Sequence, residues 1–170
     1  LAVSDVDRDS HADLIVSGGY SISSFRGRGD GSFGAENLHS IDSNFGAVRV
    51  ADFNEDGWPD LMATEISLVS HTFFLLNDGT GYFGERMYLL GGGRYPLNLA
   101  ARDVNGDGHL DALVGDIDED TVTRWTGHGD GTFGPARSID AGSGGVALGD
   151  VNGDGHADAV IADSGCEPRR

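Results

Sequence analysis

The chain has 170 residues, with 28 Asp and Glu against 11 Lys and Arg, and a formal net charge of -17. That balance excludes a nucleic-acid partner, because phosphate binding needs clustered Lys and Arg. A single cysteine, Cys166, excludes an intrachain disulfide, and no apolar run approaches the roughly 18 residues of a membrane-spanning helix.

In chain order the first recognisable element is a nine-residue loop, Asp5 to Asp13, which recurs as Asp52 to Asp60, Asp103 to Asp111 and Asp150 to Asp158. Side-chain oxygens fall at loop positions 1, 3, 5 and 9. These are Asp5, Asp7, Asp9 and Asp13; Asp52, Asn54, Asp56 and Asp60; Asp103, Asn105, Asp107 and Asp111; and Asp150, Asn152, Asp154 and Asp158. Gly57, Gly108 and Gly155 hold position 6, and Ser10 replaces them in the first copy. This spacing wraps oxygen ligands around a hard cation such as Ca²⁺. Position 7, occupied by His11, Trp58, His109 and His156, is expected to offer its backbone carbonyl and leave its side chain free to point outward. One Ca²⁺ per loop, up to four, would bring the formal charge from -17 to about -9. The pattern argues against an EF-hand, since position 12 is Val16, Ala63, Val114 or Ile161 rather than the bidentate Glu those loops carry. The metal is therefore expected to be structural.

Around each loop the pattern is β. Val48 and Val50, Leu99 and Ala101, and Val146 and Leu148 alternate just before it, and Leu1 and Val3 fill the same slots in the first copy. Short apolar runs follow it, Leu14-Ile15-Val16, Leu61-Met62-Ala63, Ala112-Leu113-Val114 and Ala159-Val160-Ile161, as a strand buried on both faces requires. A third strand, with Phe25, Phe73 and Trp125 assigned equivalent places, leads into Gly-rich turns suited to positive φ. These turns place Phe33, Phe83 and Phe133 at intervals of 50 residues. The loops themselves repeat at steps of 47, 51 and 47 residues, so two landmarks keep one beat. A fourth strand follows, as in Arg86 to Leu90 and Ala136 to Ile139.

Four strands per unit of about 50 residues make the blade of a β-propeller. The expected fold is all-β, with blades of four antiparallel strands, about three and a half blades present, and a calcium loop joining strands A and B of each. The chain divides as a single repeat array: 1–43, 44–94, 95–142 and a partial unit 143–170. No signal peptide is legible at Leu1, so a mature, processed or fragmentary chain is expected.

The loops and the pairs Phe33-Gly34, Phe83-Gly84 and Phe133-Gly134 resemble the FG-GAP or VCBS-type repeat found in integrin α-subunit propellers, related lectins and secreted bacterial proteins. That resemblance implies a closed propeller, Ca²⁺ between strands A and B, and adhesion or carbohydrate recognition. Ser10 and the extra carboxylate Asp7 depart from the family pattern.

Other motifs have simpler readings. The turns match G-x-G-x-x-G, but a strand follows where a dinucleotide fold needs a helix. Arg28-Gly29-Asp30 spells an adhesion tripeptide, with Asp30 read as the same turn aspartate as Asp78 and Asp130. The acidic run Asp116 to Asp120 is not repeated, and is open to three readings: a solvated loop, an extra cation or sugar site, or a carboxylate pair for glycoside hydrolysis. The expected function is a calcium-stabilised, non-enzymatic recognition or adhesion module, extracellular or at the cell surface, binding glycan or protein through loops on one face. Two alternatives stand beside it: self-association through open β edges into a ring or fibre, and the propeller part of a secreted lyase or hydrolase.

Overall fold

A computed structural model describes residues 1–41, 44–67, 71–89, 91, 93–141 and 145–162. Blade 1 is the meander β1 (Ala2–Ser4), β2 (Asp13–Gly18), β3 (Ser21–Gly27) and β4 (Phe33–Ile41). Blade 2 repeats it as β5 (Asn44–Ala51), β6 (Asp60–Ile66), β7 (His71–Leu75) and β8 (Met87–Leu89). Blade 3 comprises β9 (Pro96–Arg102), β10 (Asp111–Asp116), β11 (Thr121–Trp125) and β12 (Arg137–Asp140), and a half-blade pairs β13 (Val146–Gly149) with β14 (Asp158–Ile161). Every pairing is antiparallel between consecutive strands. The first strands of successive blades, β1, β5, β9 and β13, lie against one another and so form the inner side of the array. The fold is thus three and a half propeller blades in an open arc.

The core lies between blades. Strands β6 and β10 are buried on both faces, as their unbroken apolar runs predict, but the runs Leu14-Ile15-Val16 in β2 and Ala159-Val160-Ile161 in β14 are not. Leu14 and Val16 are half-buried and Val160 is 50% exposed, because no described blade covers those outer faces. Leu61 and Ala63 face blade 1 with Val6, Ile15 and Ile22, while Met62 faces blade 3 with Leu99, Ala112 and Val114. Leu113 turns the other way, to Val122 and Val146. The slot before each aspartate loop faces the preceding blade, which buries Val48, Leu99 and Val146. Leu1 and Val3 hold the same slot yet are 70% and 62% exposed, contrary to the sequence expectation, because no described blade packs on that side of blade 1.

The phenylalanines after the turns obey the same rule. Phe83 packs into the core shared with blade 1, and Phe133 packs on Phe53 and Phe74 of blade 2 at ring separations of 6.0 and 5.4 Å. Phe33 has no such neighbour and is 43% exposed. The third strand needs one correction. Leu14 pairs with Phe25, Leu61 with Leu75 and Ala112 with Trp125, so Leu75 is the counterpart of Phe25 and Trp125. Phe73 pairs with Ala63, two residues earlier on the same face, since the side-chain period of a strand is two.

Phe73 is fully buried and meets Phe45 at 5.8 Å between ring centres. Phe73→Ala is expected to cost about 3–5 kcal/mol by urea denaturation, whereas Phe33→Ala should cost about 1 kcal/mol or less.

Candidate functional site: the aspartate loops

Position 9 is the anchor of each loop. In blade 1 Asp13 accepts the Val6 N–H at 2.9 Å and the Gly27 N–H at 2.8 Å. In blade 2 Asp60 accepts Phe53 N–H and Asn77 N–H at 3.0 and 2.9 Å, and in blade 3 Asp111 accepts Val104 N–H and Gly127 N–H at 3.1 and 3.0 Å. All three carboxylates are fully buried. Each one ties the A–B loop to the turn that follows the third strand, using both oxygens. Asp158 makes the first bond, to Val151 N–H at 3.0 Å.

Positions 1, 3 and 5 build the rest from local Asx turns. The position 1 carboxylate accepts the position 6 N–H in every copy: Ser10 on Asp5, Gly57 on Asp52, Gly108 on Asp103 and Gly155 on Asp150, at 2.8–2.9 Å. Position 3 accepts from the N–H of position 5, as Asn105 does from Asp107 and Asn152 from Asp154, both at 2.8 Å. The side-chain amides of Asn54, Asn105 and Asn152 donate onward to Asp56, Asp107 and Asp154. Position 5 accepts from position 7, through Asp9 to His11, Asp56 to Trp58, Asp107 to His109 and Asp154 to His156. Position 6 is left-handed in all four loops, at φ 89, 95 and 86° for Gly57, Gly108 and Gly155. Ser10 is held at 70°, a conformation that costs an L-residue roughly 1–2 kcal/mol.

Electrostatics follow from this crowding. Burial pushes the Asp60 carboxyl up to about 6, against the pull of its bonds from Asn77 and Phe53, and the nearby Asp56 and Asp52 charges add to the rise. Backbone N–H donors hold Asp103 and Asp150 below the usual carboxylate range, led by Gly108 and Gly155 respectively. In the first loop, carboxylate oxygens of Asp5, Asp7 and Asp13 lie within 4.8 Å of one another. Its additional acid is answered by Arg26, whose Nη1 lies 3.2 Å from Asp7 and whose Nη2 donates to the Thr80 carbonyl of blade 2 at 2.7 Å.

The side chains of His11, Trp58 and His109 at position 7 do not point freely outward. A Cβ placed on Gly29 would meet the His11 ring at 2.5 Å, and one on Gly79 would meet Trp58 at 3.0 Å; Gly129 lies equally close to His109. Each ring therefore lies over the turn glycine of its own blade, which explains why that glycine recurs. The Trp58 and His109 rings also reach the preceding blade. Arg8, at position 4 of the first loop, stacks 4.6 Å from the Trp58 ring, and Glu55, at position 4 of the second, lies 2.6 Å from His109 Nδ1. The Glu55 bond raises the His109 pKa above its ordinary value. Both Arg8 and Glu55 sit at positive φ, 57 and 58°, where loops three and four have Gly106 and Gly153. Sequence inspection missed these straps; a bulky residue at a position that elsewhere is glycine was the available signal. It also missed Asn77, whose amide donates to the Val6 and Pro59 carbonyls at 2.8 and 2.9 Å.

The remaining motifs resolve simply. Asp30 and Asp130 each accept from the residue two places on, Ser32 and Thr132. Asp78 does the same with Thr80 but sits two places earlier in its turn, so it is not their counterpart. Asp116 is buried, with Oδ1 accepting Asp118 and Glu119 N–H and Oδ2 accepting Tyr95 N–H. Its carboxylate holds the turn between β10 and β11.

In excess chelator, Asp111→Ala leaves two inward-facing N–H groups without acceptors and is expected to lose about 2–5 kcal/mol in urea denaturation. The exposed Asp107→Ala should lose about 1 kcal/mol or less under the same conditions.

Comparison with curated proteins returns no match. Among solved structures, that of an Agrocybe aegerita lectin specifically recognising non-reducing terminal N-acetylglucosamine superimposes with a TM-score of 0.67 at 23% identity, over 93% of this chain and 45% of the lectin chain. The chain thus spans less than half the length of that relative, and at this identity the likeness establishes the fold. The Photorhabdus luminescens Tc holotoxin pore also aligns, at a TM-score of 0.47, 20% identity, and 95% of this chain against 8% of that one, a likeness on which nothing further rests. The model of the FG-GAP-like repeat matches residues 5–63 and 103–161, each match spanning two whole aspartate loops and the segment between them, and the chain belongs to that repeat family.

Proposed function

We propose that this chain is a calcium-stabilised, non-enzymatic recognition module acting outside the cell or at its surface, which binds glycan or protein through loops on one propeller face. The observation that carries the metal is an orphaned one: Asp52 Oδ1, at position 1 of the second loop, is buried without a hydrogen-bond donor. A carboxylate oxygen in that state calls for a cation. The donor set is entirely oxygen, which suits Ca²⁺ rather than a softer metal. Positions 1, 3, 5 and 9 of each loop would hold the ion with side chains, and the carbonyls of His11, Trp58, His109 and His156 would add one ligand each. The ion would supply positive charge where the fold now gathers repelling carboxylates. Millimolar calcium outside cells suits several such sites, and membership of the FG-GAP-like repeat family together with a lectin-like fold supports recognition as the task.

Because Ca²⁺ would bind the folded loops and hardly the unfolded chain, one site filled at a hundred times its Kd adds about 2.7 kcal/mol. Millimolar calcium is therefore expected to raise Tm by at least about 5 °C over excess chelator. Equal melting temperatures would refute the structural metal, and failure to bind any ligand on broad glycan and surface-protein arrays in calcium would refute recognition.

A second reading, self-association, is favoured by a specific feature. Beside the half-blade lies an apolar groove of about 390 Å³ lined by Val104, Leu113, Val122, Leu148 and Ala159, and β14 pairs only with β13 among the described residues. A multiple of the chain mass in calcium solution is its expected outcome, and a monomeric mass removes it.

A further inference from the structure

We propose that the cleft between blades 2 and 3, at the end of the blades opposite the aspartate loops, binds an uncharged pyranose. The proposal rests on the recognition reading above and names its site and ligand class. The cleft has a volume of about 440 Å³ and is lined by Asn44, Ile66 and Ser67 of blade 2 and by Arg94, Tyr95 and Asp118 at blade 3. That volume falls within the range of small-ligand sites, about 300–1,000 Å³.

The lining matches the chemistry of a sugar. A pyranose offers a C–H face and a rim of neighbouring hydroxyls. The Tyr95 ring, 51% exposed, supplies a flat apolar surface for the first. The carboxylate of Asp118, the amide of Asn44 and the guanidinium of Arg94 supply planar donors and acceptors for the second. Two other cavities among the described residues do not combine these. One lies along the inner strands against Val50, Ala51, Ala100 and Ala101, and the other is the apolar groove at the half-blade.

The blade 3 wall is also prepared in advance. Tyr95 N–H donates to Asp116 Oδ2 at 2.6 Å, and Ile117 N–H donates back to the Tyr95 carbonyl at 3.2 Å. Asp116 Oδ1 meanwhile fixes the N–H groups of Asp118 and Glu119 at 2.9 and 2.8 Å. The backbone segments that carry the ring and the carboxylate are thus clamped to each other, which lowers the entropy cost of ordering the wall. Across the cleft, Asn44 pairs with Ile66, and Phe45 N–H is bonded to the Gly19 carbonyl of blade 1. The acids of the wall are particular to blade 3: residues 117–120 between β10 and β11 carry them, whereas residues 19–20 and 67–70, which fill the same place in blades 1 and 2, contain none. Exposed Glu119 and Asp120 beside Asp118, on a chain of net charge -17, oppose an anionic sugar.

The test is calorimetric titration of the whole chain in millimolar calcium with N-acetylglucosamine, methyl β-galactoside, methyl α-mannoside and glucuronate. At least one neutral sugar is expected to bind and glucuronate is not. Tyr95→Ala and Asp118→Ala should each weaken binding at least tenfold with Tm unchanged, while Tyr20→Ala, at the same end of blade 1, should bind like the parent. Sugar binding that survives both cleft variants overturns the cleft and leaves the recognition reading intact. Tighter binding of glucuronate overturns the ligand class. Binding of no sugar overturns the proposal, and recognition itself then falls only if the protein arrays are blank as well.

Discussion

The blades depend on one buried carboxylate apiece, the aspartate at loop position 9. It receives the N–H of loop position 2 and the N–H that opens the next turn, so a single side chain joins the A–B connection to the C–D connection. Two short hairpins become one sheet with a fixed end. Burying an ionised group is costly unless it is bonded, and Asp13, Asp60 and Asp111 each have both oxygens bonded; in blade 2 burial still raises the Asp60 pKa. With that anchor set, position 7 falls over the turn glycine and position 4 reaches the neighbouring blade. Loop chemistry and blade geometry are therefore the same problem, which is why the two sequence landmarks stay in phase.

Blades then hold each other through a directional pattern. Each blade presents its alternate A-strand side chains and its turn phenylalanine to the blade before it, and the opposite face of its B strand to the blade after it. Polar straps run the same way along the loop end: Arg8 to Trp58, Glu55 to His109, Arg26 to Thr80 and Asn77 to Val6. Among the described residues the position 4 straps are confined to blades 1 to 3, because Gly106 and Gly153 have no side chain to extend. Arrays built this way couple chiefly between neighbours.

The repeat was legible in the sequence because its signals are local: acids at fixed offsets, turn glycines, and alternation of period two. Burial on both faces of β6 and β10 followed from unbroken apolar runs. What lies between units was not legible. Leu1 and Val3 read as buried by analogy, and only the absence of a described blade on their side exposes them. Phe73 was misaligned with Phe25 and Trp125 since a two-residue slip preserves the face of a strand, and only the pairing register separates it from Leu75. The rings of His11, Trp58 and His109 and the buried state of Asp116 depend on segments 15 to 25 residues away. The cleft at Tyr95 joins two blades, and no pattern within one repeat could reveal it.

The central claim is that the aspartate loops are scaffold completed by calcium, with recognition left to the segments that do not repeat. Anomalous X-ray diffraction from crystals grown in millimolar calcium tests it most directly. The account predicts an anomalous peak inside the loop of each complete blade, bounded by the oxygens of positions 1, 3, 5 and 9 and the carbonyl of position 7. Loops that keep the Asp13, Asp60 and Asp111 hydrogen bonds but hold no peak at saturating calcium would contradict it.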